Sequence, residues 1–267
     1  MSGLKMMLVE SGYAHSTPKT LNCISFMHAQ DFENIDFNAY NGSEYLIEYA
    51  SQEQFNYVVE RLNNKVKLLI IGVSPKIKDF SLLERLGNLE YICIKWNNAS
   101  TQLWDMSKNI KLKEVVLAEF KKLRSLEDFK TASHIKGLQL NGGLDAKWKV
   151  ANFEPLANLI DLKILRLFEI TPESGSFSPL YGLRQLERLD MSHNILSTDE
   201  YAKLAAHLNN TYSDVFNGVI CDEYLNEILL VGKGKRALIL DKISDKEKAE
   251  IFRSDFLNMI KSHQEIL

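Results

Sequence analysis

The 267-residue chain is 45% apolar and 25% charged with a formal net charge of −3, the balance of an ordinary globular protein. That charge gives no pull towards nucleic acid, and no apolar run approaches the roughly 20 residues that span a bilayer. Cys23, Cys93 and Cys221 are too scattered and odd in number for a secreted disulfide framework.

In chain order, the first segment holds only four apolar residues between Lys5 and Glu10, too few for a signal-peptide core. The chain is therefore expected in the cytoplasm, with non-classical export as the alternative for an effector. LNCISF (21–26) and ENIDF (33–37) read as strands, and Phe32, Ile35 and Phe37 also fit a degenerate first repeat at 32–40. Ser51 and Gln54 then form a capping box ahead of Phe55, Val58, Val59 and Leu62 at helical spacing. Residues 1–64 read as an amino-terminal cap.

From Val66 the pattern L-x-x-L-x-L recurs, its first apolar position falling at Val66, Leu89, Leu112, Ile135, Leu162 and Leu186 in steps of 23, 23, 23, 27 and 24 residues. A near-constant period of this size means stacked units, none able to bury its own apolar face. The last two apolar positions of each unit are two apart and share one face of a short strand. They are Leu69/Ile71, Ile92/Ile94, Val115/Leu117, Leu138/Leu140, Leu165/Leu167 and Leu189/Met191. The return segments DFSLLERLGNLEYI, NFEPLANLIDLKIL and SFSPLYGLRQLERL share an F-x-x-L-x-x-L-x-x-L spacing, which suits 3₁₀ turns better than an α-helix. The 27-residue step, carrying NGGLDAKWKVAN, is expected to form a bulged loop around Trp148.

Past the repeats, STDEYAKLAAHL reads as a helix opened by a Ser197/Glu200 capping box, closing a repeat block at 65–208. Residues 209–267 read as a cap: EILLVGKGKRALIL as a β-hairpin around a glycine-rich turn, then an amphipathic helix with Ile251, Phe252, Phe256, Leu257 and Ile260.

LERLDMSHNIL (186–196) matches L-x-x-L-x-L-x-x-N-x-L throughout, Met191 replacing one leucine. On these residues the chain resembles the leucine-rich repeat family, in particular the short repeats of bacterial internalin-like proteins. The resemblance implies an α/β solenoid with a parallel concave sheet, a 3₁₀ or irregular convex side and α+β caps at both ends. The family's turn asparagine is present only as Asn97 and Asn194; Ser74, Phe120, Gly143 and Ile170 stand elsewhere, so the middle units are expected to be less regular.

Residue types that carry chemistry are sparse. The six histidines form no metal-ligand spacing, and Gly232-Lys233-Gly234-Lys235 lacks the spacing of a phosphate loop. Cys93 has Lys95 two positions on, but a buried inert thiol is the expected state. No cofactor, metal or catalysis is expected.

Strand alternation turns the residues between the inward positions onto the concave face. The candidate protein-binding residues there and at its edge are Tyr91, Lys95, Trp96, Glu114, Gln139, Asn141, Arg166, Phe168, Arg188, Asp190 and His193. Aromatics and arginines among charges of both signs are typical of binding hot spots. At the amino end, Leu68 and Ile70 either belong to this face or are covered, by the cap or by a second subunit as a homo-oligomer contact. The resemblance implies a non-enzymatic module that binds another protein, with no nucleic acid and no membrane insertion; an immunity or inhibitor protein neutralising a toxin is one form of it. The alternatives are an effector-type enzyme with repeats for substrate selection and a homodimeric scaffold.

Overall fold

The computed structural model describes residues 22–26, 35–37, 42–62, 64–143 and 147–267. Its spine is an eight-stranded parallel sheet in the order β1-β2-β3-β4-β5-β6-β8-β10. The six strands of the periodic units are β3 (Leu68–Ile71), β4 (Tyr91–Asn97), β5 (Glu114–Phe120), β6 (Gly137–Asn141), β8 (Ile164–Phe168) and β10 (Arg188–Met191). All of their inward side chains, from Val66 to Met191, are buried in one continuous core. Each such aliphatic side chain contributes roughly 1.5–3 kcal/mol of transfer free energy.

The convex side closes each unit with a short 3₁₀ turn: Ser81–Arg85, Met106–Lys108, Glu127–Thr131, Glu154–Asn158 and Ser178–Leu180. The three-residue spacing predicts this, because side chains three apart eclipse in a 3₁₀ turn. One column of it runs Leu86, Asn109, Ala132, Leu159 and Leu183, all buried. Asn109 is tolerated because its groups are met. Its Nδ2 donates to the carbonyls of Leu83 and Leu86 at 2.9 and 3.0 Å, and its Oδ1 accepts from Trp104 Nε1 at 2.8 Å.

Two strands precede the periodic units. β1 (Asn22–Ser25) lies within the expected LNCISF, and β2 (Glu44–Glu48) pairs with β3 through Tyr45↔Leu69 and Ile47↔Ile71. β2 corrects the reading of the cap: it is one more unit, hidden because Gly42 and Tyr45 stand where the pattern has leucines. In ENIDF only 35–37 are described, and they form no strand; the remainder of 32–40 lies outside the described residues. Helix α1 (Gln52–Arg61) carries the expected capping box, Ser51 Oγ accepting from Gln54 N at 3.3 Å and Gln54 Oε1 from Ser51 N at 2.8 Å.

The turns solve the interrupted asparagine ladder locally. Asn97 donates to the carbonyls of Ser74 and Ile77 and accepts from the amides of Ala99 and Ser100. Ser74 accepts from Ala50 N at 3.3 Å. Phe120 stacks against Trp148 with ring centroids 5.7 Å apart, and Trp148 Nε1 supplies the missing polar contact by donating to Leu123 O at 2.5 Å. Trp148 therefore sits in no bulged loop. It opens β7 (Trp148–Val150), which pairs in parallel with β9 (Ile170–Pro172) as a second small sheet. Residues 144–146 of that step lie outside the described residues.

The last turn departs from expectation too: Asn194 accepts from Lys147 Nζ at 3.3 Å. Tyr201 of helix α2 (Thr198–His207) meets the turn backbone, its hydroxyl accepting from Ile195 N at 3.0 Å and donating to Ser192 O. Ser197 caps α2 as expected. Glu200 does not reciprocate, because its carboxylate accepts from Phe177 N at 3.0 Å in the preceding unit.

The carboxyl-terminal region holds the expected hairpin of β12 (Glu227–Leu230) and β13 (Leu238–Ile239), joined by an unforeseen third strand, β11 (Val219–Asp222). Helix α3 (Ile243–Gln264) packs on α2 and on these strands. Docking to the repeats runs through Gly232 N to His193 O at 2.7 Å, Lys233 N to Leu196 O at 2.6 Å and Thr198 Oγ1 to Val231 O at 2.9 Å. Gly232 has φ +135°, and a Cβ there would lie 2.2 Å from Thr198 Oγ1, so only glycine lets the two segments meet. The open sheet edge at β10 is partly covered: Leu189 N donates to Tyr212 O and Tyr212 N to Glu187 O.

Candidate functional site

In-register parallel pairing stacks the outward side chains into rows. One row runs Leu68, Tyr91, Glu114, Gly137, Ile164, Arg188; the next runs Ile70, Cys93, Val116, Gln139, Arg166, Asp190. Lys95, Ala118, Asn141 and Phe168 lie side by side in a third.

The amino end of this face is sealed. Leu46, Leu68, Ile70, Cys93 and Val116 form an apolar cluster of their own with Tyr91 packed against it. Leu68 and Ile70 are only 2% and 1% exposed within one chain, which removes them from the candidate homo-oligomer surface. Glu114 and Gln139, at 4% and 3% exposure, are likewise corrected: they do not face a partner. The stem of Glu114 fills the space over Gly137, where a Cβ would lie 3.0 Å from Glu114 Cγ. Gln139 Oε1 accepts from Arg166 Nη1 at 3.5 Å, so it orients the arginine beside it.

The carboxyl end gathers charge. Asp190 accepts from Arg166 Nε at 3.0 Å and from Arg188 Nε at 2.8 and 2.9 Å, one carboxylate holding two guanidinium groups. Arg188 also lies over the Tyr212 ring at 5.6 Å, and the Tyr212 hydroxyl donates to Asp214 at 2.6 Å. Half-buried Phe168 adjoins them, and together they open onto a pocket of about 370 Å³ whose far wall is Ser213, Asp214, Val215 and Ile220. Sequence reasoning missed that wall. It follows α2 in a segment without repeat spacing, folded against the last repeat by the bridge at Tyr212 and by Thr211 Oγ1, which donates to Leu186 O at 2.7 Å.

The remaining candidates scatter along the sheet. Asn141 Oδ1 accepts from Gly143 N at 2.9 Å and shapes the turn. Lys113 Nζ stands 5.9 Å from the Tyr91 ring, and Lys95 is half-buried. Trp96 is 44% exposed with φ +56°, and Tyr49, Glu119 and Glu169 share its left-handed backbone. Such a conformation costs a non-glycine residue roughly 1–2 kcal/mol, and here it falls one residue before the end of β4 and β5 and just past the end of β2 and β8. His193 lies under the docked hairpin. Burial pulls its imidazole below the usual histidine range, Lys147 acting the same way and Glu169 and Glu227 opposing. Cys93 is buried and Cys221 exposed. Among the described residues no three His, Cys, Asp or Glu side chains are grouped to hold a metal ion, and no helix is long and apolar enough to cross a membrane.

No protein-family model and no curated protein matches the sequence. Solved structures do match. A leucine-rich repeat protein of Leptospira interrogans aligns with TM-score 0.52 at 15% identity, covering 64% of this chain and 47% of that one. The chain has the leucine-rich repeat fold. Two internalins of Listeria monocytogenes align less closely. One has TM-score 0.46 and 17% identity over 56% of this chain and 47% of that one. Internalin C2 has TM-score 0.43 and 19% identity over 56% and 61%. The chain thus spans about half the length of the first of these leucine-rich repeat structures.

Proposed function

We propose that this leucine-rich repeat chain is a non-enzymatic module that binds another protein through the carboxyl-terminal half of its concave face. The observation that carries this is the Arg166–Asp190–Arg188 network beside Phe168, at the mouth of a pocket the repeats share with the cap. Arginine and aromatic anchors fixed before the partner arrives lose little entropy on binding. Asn141 and Trp96 extend the contact along the trailing edge of the sheet.

Within that class we assign the chain to the immunity or inhibitor type, acting in the cytoplasm to neutralise a toxin. This narrower role rests on the family resemblance, since some leucine-rich repeat proteins are cytoplasmic immunity proteins that neutralise a cognate toxin. The test uses a stoichiometric partner isolated from the native host. Alanine at Arg166, Phe168 and Arg188 together is expected to weaken that partner roughly a hundredfold or more, with circular dichroism unchanged. Unaltered affinity overturns the assignment of the face. A partner with no toxicity that this chain relieves overturns the inhibitor role.

A further inference from the structure

The edge from which the concave strands start carries a charge that the fold does not answer. The residues immediately before the six periodic strands are Lys67, Glu90, Lys113, Lys136, Lys163 and Glu187. Backbone bonds lock them into one row: Glu90 N donates to Lys67 O, Lys113 N to Glu90 O and Lys136 N to Lys113 O at 2.8 Å each, then Lys163 N to Lys136 O at 2.9 Å. Neighbours in such a row stand about 4.8 Å apart. Glu90 holds Lys67 at 3.5 Å and Lys113 at 2.5 Å, and Glu187 holds Lys163 at 2.6 Å. Lys136 stands exposed between Lys113 and Lys163, and among the described residues its ammonium has no partner. Four lysines against two glutamates leave the row at +2 on a chain of net charge −3.

Like charges directly opposite on neighbouring strands destabilise a sheet. Lys113 and Lys163 are each drawn to a carboxylate on the side away from Lys136, and Glu114 is buried over Gly137 on the concave side. The middle ammonium is therefore left to something outside the chain. The row also borders the binding face, since Lys163 leads straight into the strand that carries Arg166 and Phe168. We propose that this leading edge receives an acidic stretch of the protein partner, its carboxylates pairing with Lys136 and drawing in Lys113 and Lys163 beside it. The inference rests on the protein-binding reading above and names the partner's chemistry where it overhangs the sheet. Charges at the rim of an interface act chiefly on encounter rate and choice of partner, so the row selects acidic proteins before the concave face engages. A nucleic acid fits it poorly. Its unbroken run of phosphates would meet Glu90 and Glu187, which separate carboxylates can avoid.

The probe is an acetylated, amidated peptide, Glu-Ala-Glu-Ala-Glu, titrated into the full chain at about 20 mM salt while the Gly137 amide is followed by NMR. Saturable shifts are expected, weakening severalfold at about 150 mM salt and absent with the glutamine version of the peptide. Lys136→Glu is expected to weaken the glutamate peptide roughly tenfold or more. The same change is expected to raise the thermal midpoint, because the new carboxylate stands between Lys113 and Lys163, so lost binding cannot be lost folding. Lys78→Glu, in the turn before Ser81–Arg85 and away from the row, makes the same change in net charge and is expected to leave the affinity within about twofold. Equal weakening by Lys78→Glu, no weakening by Lys136→Glu, or equal binding of the glutamine peptide overturns the proposal. So does an oligothymidylate of the same charge that binds as tightly as the peptide, since the row would then read any polyanion. The two readings fail separately. If the peptide does not bind but the triple alanine variant still loses the host partner, the leading edge alone is wrong. If the peptide binds and that variant keeps its partner, the concave face is wrong and the row stands as a site for acidic proteins.

Discussion

At the amino end of the concave sheet, Leu46, Leu68, Ile70, Cys93 and Val116 interlock away from water, whereas at the carboxyl end Arg166, Arg188 and Asp190 hold one another beside an open pocket. The backbone is the same at both ends: parallel strands in the same register, with the same buried triplet beneath. What differs is the set of side chains between the inward positions and, at the carboxyl end, the segment docked against β10 through Tyr212. The repeat fixes where an outward residue stands and leaves its chemistry open, so one end adds to stability while the other is available for recognition.

Matched acidic substitutions break that comparison most sharply. Leu68→Asp places a carboxylate inside the sealed cluster and is expected to lower the free energy of unfolding by about 3–5 kcal/mol, read by urea denaturation. Phe168→Asp, on the open end, is expected to cost about 1 kcal/mol or less while reducing partner affinity. Similar losses from both would show that the two ends are equally sealed. Next in size is Tyr201→Phe, which strands the Ile195 amide and the Ser192 carbonyl; thermal and urea unfolding should register about 1–3 kcal/mol. Asp190→Asn keeps the shape of the carboxyl end but halves its grip on two arginines that are partly in water, so about 1 kcal/mol is expected. A larger loss of partner affinity than of stability would mark that carboxylate as an organiser of the binding surface.

The smallest effect is in pH. His193 has its pKa lowered in the fold, chiefly by burial, relative to about 6.5 in an unfolded chain. Its contribution to stability is therefore complete above the ordinary histidine range and is lost as pH falls through it, because the unfolded chain takes up the proton first. Comparing urea midpoints near about pH 7.5 and about pH 5.5, His193→Asn is expected to remove part of the acid-side decline. An unchanged decline would mean the imidazole stays solvated under the hairpin.

The inner positions were readable because they recur: a two-residue alternation inside a period of about 23 leaves one solution for which side chains face in. The outer rows were readable as rows for the same reason, since parallel strands align equivalent positions. Their burial was not. Glu114 and Gln139 look like surface residues, but nothing local encodes that Gly137 leaves room for one or that Arg166 claims the other. Ser213 and Ile220 escaped because they reach the site by the docking of a separate segment, not by any period. β2 escaped because Gly42 and Tyr45 break the leucine pattern while keeping the strand register. Asn109 did carry a signal: it is the one polar residue in a column otherwise filled by Leu86, Ala132, Leu159 and Leu183.

That asparagine has a consequence for how the array comes apart. Its amide reaches back to Leu83 and Leu86 while its own carbonyl meets His134 Nε2 at 3.1 Å in the next unit. Three successive coils are thereby fastened at one place in this column by directional bonds, where Leu86, Ala132, Leu159 and Leu183 of the same column offer apolar contact. Unravelling that begins at the carboxyl terminus is expected to stall on reaching this clasp, giving a resting intermediate under mechanical load that Asn109→Leu would erase.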